Sequence, residues 1–349
     1  MADAQEQPAA PATTDAPATT TEATTAPIPP ADDNDNETSD GSVYEDSSAT
    51  SLSSLRSSIL EYRRENGRTY HSMSDGNLTH HLWLVTWDGE LCNSPKKDGA
   101  KRVLDVGTGT GIWALEYADL HPEADVIGVD LSPIQPSYVP SNCHFEVDDV
   151  EKEWTWKRPF DFIFVRAMIS SFSDWPAMVK KAYDNLEPGG YLEMHDDVFP
   201  HRCDDGTMTE DSLIYKWGNY LVEATDKIGR PITVAPKFKQ MLEEAGFVDV
   251  VEKQEKWPVN TWLERDDKAQ QLAPWSHAAT LQGLEPASLA LFTRVLDWTK
   301  EETLVFCAHV RNEVRSKDIH AYFGVYGVYG RKPEEAAEAA EAAGAPEDP

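Results

Sequence analysis

Basic residues are scarce in this chain: of 349 residues only 31 are Lys or Arg, against 61 Asp or Glu, a formal net charge of -30. Proteins that grip nucleic acid gain affinity by releasing counterions through clustered cations, so nucleic acid is not expected as a direct partner. The one basic run, Lys96-Lys-Asp-Gly-Ala-Lys-Arg102, reads as a solvated loop edge. Cysteine is rare too. Cys92, Cys143, Cys203 and Cys307 form no C-x-x-C pair and no zinc-like set with histidine, so they read as reduced structural residues and no metal is expected. No apolar run reaches the roughly 18 residues of a membrane helix, and the acidic amino terminus lacks the basic and apolar regions of a signal peptide. The expected location is intracellular, cytoplasmic or nuclear, away from membranes.

Large apolar residues are nearly missing from both ends. Residues 1–58 consist mostly of Ala, Pro, Thr, Ser, Asp and Glu, and residues 333–349 are acidic and alanine-rich. Neither stretch can bury enough apolar surface to offset the entropy of ordering, so both are expected to be disordered tails. They carry roughly half of the net charge. A single domain is expected over residues 59–332.

Within it, Val103-Leu-Asp-Val-Gly-Thr-Gly-Thr-Gly-Ile-Trp113 reads as a short buried strand, a glycine turn and the start of a helix. Gly107, Gly109 and Gly111 let the backbone turn sharply and a ligand approach closely, because no Cβ intervenes. About 20 residues on, Val126-Ile-Gly-Val129 reads as a second strand ending in Asp130, an acid placed to accept hydrogen bonds from ribose hydroxyls. A dinucleotide fingerprint needs a further glycine where this chain has Ile112, and no Gly-Lys-Ser/Thr phosphate loop is present. An oxidoreductase using a dinucleotide is therefore disfavoured.

The remaining pattern alternates strand and helix, as parallel sheets do. Strands are expected at Arg102 to Val106, Val126 to Val129, His144 to Val147, Phe160 to Val165 and Tyr191 to Met194. Gly246 to Val251 and His320 to Tyr329 read as the antiparallel sixth and seventh strands, with helices from Glu285 to Arg315 between them. Helices are also expected from about Ile112 to Leu120, Trp175 to Leu186, Ser212 to Ile228 and Pro236 to Ala245.

The glycine turn and Asp130 resemble those of class I S-adenosylmethionine-dependent methyltransferases. The phrases Tyr62-Arg-Arg-Glu-Asn-Gly-Arg-Thr-Tyr-His71, Asp130-Leu-Ser-Pro-Ile-Gln-Pro136, Asp174-Trp-Pro176 and Ile228-Gly-Arg-Pro231 resemble the narrower fungal LaeA-like, or TAM-domain, methyltransferases. The resemblance implies an α/β fold with a Rossmann-like seven-stranded sheet, mostly parallel with one antiparallel strand and helices on both faces. It implies S-adenosyl-L-methionine as cofactor, held by Asp105, Gly107, Thr108, Gly109 and Gly111, by Asp130 with Leu131, and by Asp148 and Asp149 after the third strand. Arg166 after the fourth strand joins that set. His195 and Asp196, with Asp197, are expected just after the fifth strand, where crevices open in parallel sheets, and are the catalytic candidates.

The implied activity is methyl transfer to a small-molecule or protein acceptor, linked to fungal secondary metabolism. The alternative is a cofactor-binding regulatory scaffold with a protein partner and little turnover. One departure from the family stands out. His71-Ser-Met-Ser-Asp-Gly-Asn-Leu-Thr79 joins directly to His80 and His81, about a dozen residues shorter than usual, which bears on closure of the pocket. His80 and His81 read as packing or lid residues, Trp83 and Trp87 as core, and Trp113, Trp154 and Trp156 as lying near the expected adenine.

Overall fold

The computed structural model describes residues 75–262 and 266–334, together with a short antiparallel pairing of Arg64–Glu65 with Arg68–Thr69. They belong to one compact unit, Ser48–Pro349. The tail expected at 1–58, all of the tail expected at 333–349 beyond Glu334, and the shortened link up to Ser74 lie outside the described residues.

Seven strands form one sheet: β1 (Arg102–Val106), β2 (Asp125–Asp130), β3 (Cys143–Val147), β4 (Phe160–Arg166), β5 (Leu186–Arg202), β6 (Val248–Pro258) and β7 (Tyr322–Arg331). Their spatial order is β3-β2-β1-β4-β5-β7-β6. The sixth and seventh strands pair antiparallel as expected, yet only β7 is reversed relative to the rest, because it is inserted between β5 and β6. This is the expected mostly parallel sheet with one reversed strand. The order reverses at β1, where the neighbours β2 and β4 lie on opposite sides. A crevice opens at such a switch point beyond the carboxyl ends of the strands.

Central strands are mostly apolar because both faces are covered. Along β4, Ile163 and Val165 enter one core with Leu104, Val106 and Met194, whereas Phe162 and Phe164 enter the opposite core with Val103 and Trp113. This period of two places helices on both sides of the sheet. Helix α1 (Asp75–Thr86) precedes the sheet, and α2 (Ile112–Leu120) follows the glycine turn, starting at Gly111 with φ 81°. Helix α3 (Trp175–Asp184) is capped by Asp174, whose side chain accepts from the Ala177 N–H at 2.9 Å. Helices α4 (Leu213–Lys227) and α5 (Phe238–Glu244) lie close to where the apolar spacing puts them.

Two elements differ from expectation. The fifth strand runs 17 residues, from Leu186 through the Pro188-Gly-Gly stretch to Arg202. Its parallel partner ends at the pair Arg166 with His195, but β7 goes on pairing with it as far as Tyr322 opposite Arg202. His195, Asp196 and Asp197 are therefore inside a strand and not just after it. Polar residues that read as a loop are kept extended by hydrogen bonds from a strand 125 or more residues away in the chain. Likewise α6 (Asp267–Val295) begins well before Glu285 and accommodates both Pro274 and Pro286, and α7 (Lys300–Arg315) follows with a Thr299–Glu302 capping box. Helices α1, α4, α6 and α7 share a third apolar core built on Trp83, Trp217, Leu272, Phe292 and Val310.

Candidate active site

Every glycine of the turn lies in left-handed backbone, with φ 70° at Gly107, 56° at Gly109 and 81° at Gly111, a region that side chains with a Cβ rarely tolerate. The three differ in what surrounds them. A Cβ on Gly107 would collide with Met168, and one on Gly111 with the Phe145 ring, while one on Gly109 would meet nothing within 4 Å. The turn is thus packed at both ends and open at its middle. The Gly107 and Thr108 N–H groups donate to the Val129 carbonyl at 2.9 and 3.0 Å, tying the turn to β2.

Asp130 stands at the tip of β2. Its Oδ2 accepts from the Gly109 N–H at 2.9 Å and its Oδ1 from the Ser132 N–H at 2.9 Å, so the acid and the middle glycine are directly joined. Gln135 donates from Nε2 to the Gly109 carbonyl at 2.6 Å and completes the brace. Gln135 is a site residue that sequence reasoning missed; its presence in the Asp130–Pro136 phrase was the available signal. Beside it Leu131 is 69 % exposed, and Ile134 and Val147 are also exposed, leaving apolar surface next to the turn. The Asp148 N–H donates to the Asp130 carbonyl at 3.1 Å, which links the tips of β2 and β3. Asp148 is exposed and accepts from the Asp149 N–H, whereas Asp149 accepts from the Glu151 N–H and faces Lys152 at 3.5 Å.

Asp105 lies one residue before the end of β1 and is only 3 % exposed. The Thr108 hydroxyl donates to its Oδ2 at 2.6 Å. Burial pushes the Asp105 carboxyl up to about 6, against the opposing pull of that hydrogen bond and of the Arg166 charge. Arg166, at the end of β4, is drawn down to about 10 by burial, with Asp105 and Glu116 acting in the other direction. Its Nη2 lies 2.8 Å from His80 Nδ1, and His80 Nε2 lies 3.0 Å from Glu116 Oε2. A guanidinium can only donate, so Nδ1 accepts and Nε2 carries the proton given to Glu116. Burial lowers the His80 pKa, in keeping with a neutral ring. His80, read as packing or lid, thus reaches the site from α1, and only the tertiary fold brings it there. His81 packs on the Trp275 ring at 4.1 Å.

The catalytic candidates sit deeper than expected. His195 is 1 % exposed, with the rings of Trp83, Trp87 and Phe164 around it. Its Nδ1 accepts from Trp87 Nε1 at 3.2 Å and its Nε2 donates to Glu193 Oε1 at 2.6 Å. Glu193 also accepts from the N–H groups of Asn93 and Ser94, at 2.6 and 2.9 Å. Burial lowers the His195 pKa despite the Glu193 charge. Asp196 points to the other face of the sheet, where its Oδ2 accepts from the Met168 N–H at 2.9 Å and burial holds its carboxyl well above the usual range. Met168 is the residue packed over Gly107, so Asp196 touches the turn through one intermediary. The loop between them holds Ala167 and Ser170 at φ 56° and 64°, a strain that the Asp196 contact and the Ala167 N–H bond to the His195 carbonyl stabilise. Burial pushes Asp197 up to about 6.

The tryptophans are accounted for by packing. Trp113 stacks on Phe164 at 4.0 Å and donates to the Leu91 carbonyl, and Trp83 is buried in the helical core. Trp154 and Trp156 pack edge to face and donate to the Val150 carbonyl and to Glu146. Among the described residues no group of three or more His, Cys, Asp or Glu could hold a metal ion.

Residues 62–252 match the methyltransferase domain family. The chain belongs to it. Methyltransferase pytC of Aspergillus terreus is 39 % identical over 297 residues, covering 81 % of this chain and 90 % of that one. Secondary metabolism regulator LAE1 of Cochliobolus heterostrophus is 34 % identical over 283 residues, covering 75 % and 92 %. Among solved structures, the [4+2]-cyclase SpnF gives a TM-score of 0.46 at 17 % identity, covering 81 % of this chain and 93 % of that one. Phosphoethanolamine N-methyltransferase 2 of Haemonchus contortus gives 0.44 at 16 %, covering 75 % of this chain and 58 % of that one. The methyltransferase class and the seven-stranded fold expected from the glycine turn are borne out, as is the likeness to the LaeA group.

Proposed function

We propose that residues 59–332 bind S-adenosylmethionine on the glycine turn and transfer its methyl group to a nucleophile on a small molecule or a protein side chain. The observation that carries this reading is the middle glycine of the turn: Gly109 has open space at its α-carbon and its N–H is held by Asp130. Asp130 would hold the ribose, with Leu131 as an apolar wall and Asp148 and Asp149 toward the adenine amino group. Asp105 and Arg166, with opposite charges beside Gly107, Thr108 and Gly111, suit the ammonium and carboxylate of an amino acid moiety. These residues fit the cofactor's charges one for one.

When bound, the cofactor supplies a sulfonium-activated methyl, so the chain has mainly to bind, orient and exclude water. His195 and Asp196 contribute by position: His195 fixes Trp87 against β5, and Asp196 fixes the Met168 loop over the turn. Relatives named as a methyltransferase and as regulators of secondary metabolism support a role in that setting and leave room for a protein partner. The acidic surface suits a cationic partner better than nucleic acid. Four free cysteines suit a reducing, intracellular compartment, which cell fractionation checks. Among the described residues no helix is long and apolar enough to cross a membrane.

Calorimetric titration of the full chain with S-adenosylmethionine and with NAD tests the site. Saturable binding of the former alone is expected, and preference for NAD would overturn the assignment. Incubation of the chain and a cell extract with methyl-labelled cofactor then identifies the acceptor. A persistently unlabelled extract, with binding intact, would favour the scaffold reading over turnover.

A further inference from the structure

At the far edge of the sheet a cavity of about 340 Å³ opens between the ends of β5 and β6, the start of β7 and the first turn of α6. Its floor includes buried apolar side chains, Ala269, Leu272 and Val325, and its rim carries Arg202, Lys256 and Lys268. Three cations on one rim are unusual in a chain of net charge -30. Their pairing distinguishes them. Lys256 pairs with Asp204, and Lys268 with Glu255 at 2.9 Å and Asp88 at 3.2 Å. Asp266, also at the rim, is spent on the N–H groups of Lys268 and Ala269 as the cap of α6. Arg202 pairs with no carboxylate among the described residues; its guanidinium lies over the Tyr326 ring, 5.9 Å from the centroid.

Gly324 lets the Val198 and Arg202 side chains lie close against β7. A Cβ there would come within 3.2 Å of Val198 Cγ1 and 3.4 Å of Arg202 Nη1, tighter than most real contacts. Its φ is an ordinary strand value, so the glycine answers to space at the guanidinium and not to a turn; glycine inside a strand often marks such a close approach. An apolar floor, an aromatic wall and one cation without a partner define the ligand's chemistry. A ring or aliphatic body fills the floor and a single negative group meets Arg202.

We infer that this cavity is a binding site for a small organic monoanion, a carboxylate on an apolar body, separate from the cofactor turn. Calorimetric titration of the full chain with 1-naphthoate, and with the neutral analogue 1-naphthylmethanol, tests it. One-to-one saturable binding of the carboxylate is expected, with the alcohol at least about tenfold weaker because Arg202 gains an ion pair only from the anion. Arg202→Gln is expected to lower naphthoate affinity at least about tenfold, and Gly324→Val to lower it as well by displacing the Arg202 guanidinium, both with S-adenosylmethionine affinity unchanged. That unchanged affinity reports an intact fold and keeps this result apart from the cofactor assignment. Equal binding of acid and alcohol, no saturable binding at all, or naphthoate affinity untouched by both substitutions would overturn the inference.

Discussion

Two groups of buried polar residues lie on the same sheet and behave in opposite ways. Around His195, both ring nitrogens and the Glu193 carboxylate are answered from within: Trp87 donates to one ring nitrogen, Glu193 accepts from the other, and Glu193 takes two further backbone donors. Around the glycine turn, by contrast, a buried Asp105 and a partly buried Arg166 lie beside a main chain that has open space at Gly109. A closed network of that kind stabilises one arrangement of α1 against β5. An acid kept near 6 by burial, next to an open turn, is destabilised until something cationic arrives, which is how binding sites differ from polar cores.

The largest effect is expected where the open region is filled. Gly109→Val places a branched side chain in left-handed backbone and in the open space, so S-adenosylmethionine affinity should fall at least about a hundredfold by calorimetry. The strain itself is on the order of 1–3 kcal/mol, so the fold should survive. Retained affinity would remove the turn from the site.

Next in size is the closed region. Glu193→Ala strands the Asn93 and Ser94 N–H groups and the His195 Nε2 proton in the interior, a loss of about 3–5 kcal/mol by the precedent of buried polar networks. Denaturant unfolding measures it. A change below 1 kcal/mol would mean that the network is wetter than its geometry implies.

Asp105→Asn should separate the two regions most sharply. Because the folded carboxyl sits near 6 and an unfolded one near 3.8, ionisation favours the unfolded chain, with a penalty that is full above pH 6, shrinks as pH falls below 6 and is gone below 3.8. The amide should therefore stabilise the fold at pH 7, by on the order of 1–3 kcal/mol, while weakening cofactor binding about tenfold or more. A variant that binds as well as the parent would refute the Asp105 role. In the unaltered chain, S-adenosylmethionine affinity should decline as pH is lowered through about 6, since a protonated Asp105 no longer attracts an ammonium.

The smallest effect concerns two buried histidines, His195 and His201. His195 and His201 are lowered by burial, His201 to about 3, so below 6.5 the unfolded chain takes up protons that the folded chain does not. Stability should decline as pH falls below 6.5, and substituting His201 by Phe, which suits its aromatic surroundings of Phe199, Trp217 and Phe323, should flatten that slope. Thermal unfolding at several pH values checks it.

Much of the candidate site was legible because it is local. Asp105 through Gly111 are consecutive, and Asp130 follows at the spacing that one strand, one helix and one strand impose. His80, Gln135 and Met168 were not legible as site residues, since each reaches the turn across a gap that no periodicity encodes. His195 was placed just past the strand that contains it for a related reason. A His-Asp-Asp run is polar and reads as loop, and only the pairing partner from the far end of the chain keeps it extended.

By itself, then, the order of residues determined the glycine turn, the acid at the neighbouring strand tip and the alternation that makes a parallel sheet, because each depends on backbone freedom and apolar spacing within a few tens of residues. The tertiary structure alone decided that β7 enters between β5 and β6, burying His195 in an aromatic enclosure and leaving Arg202 above an apolar floor. Those outcomes depend on which distant strand supplies the hydrogen bonds, and a strand's own sequence is silent about its neighbour.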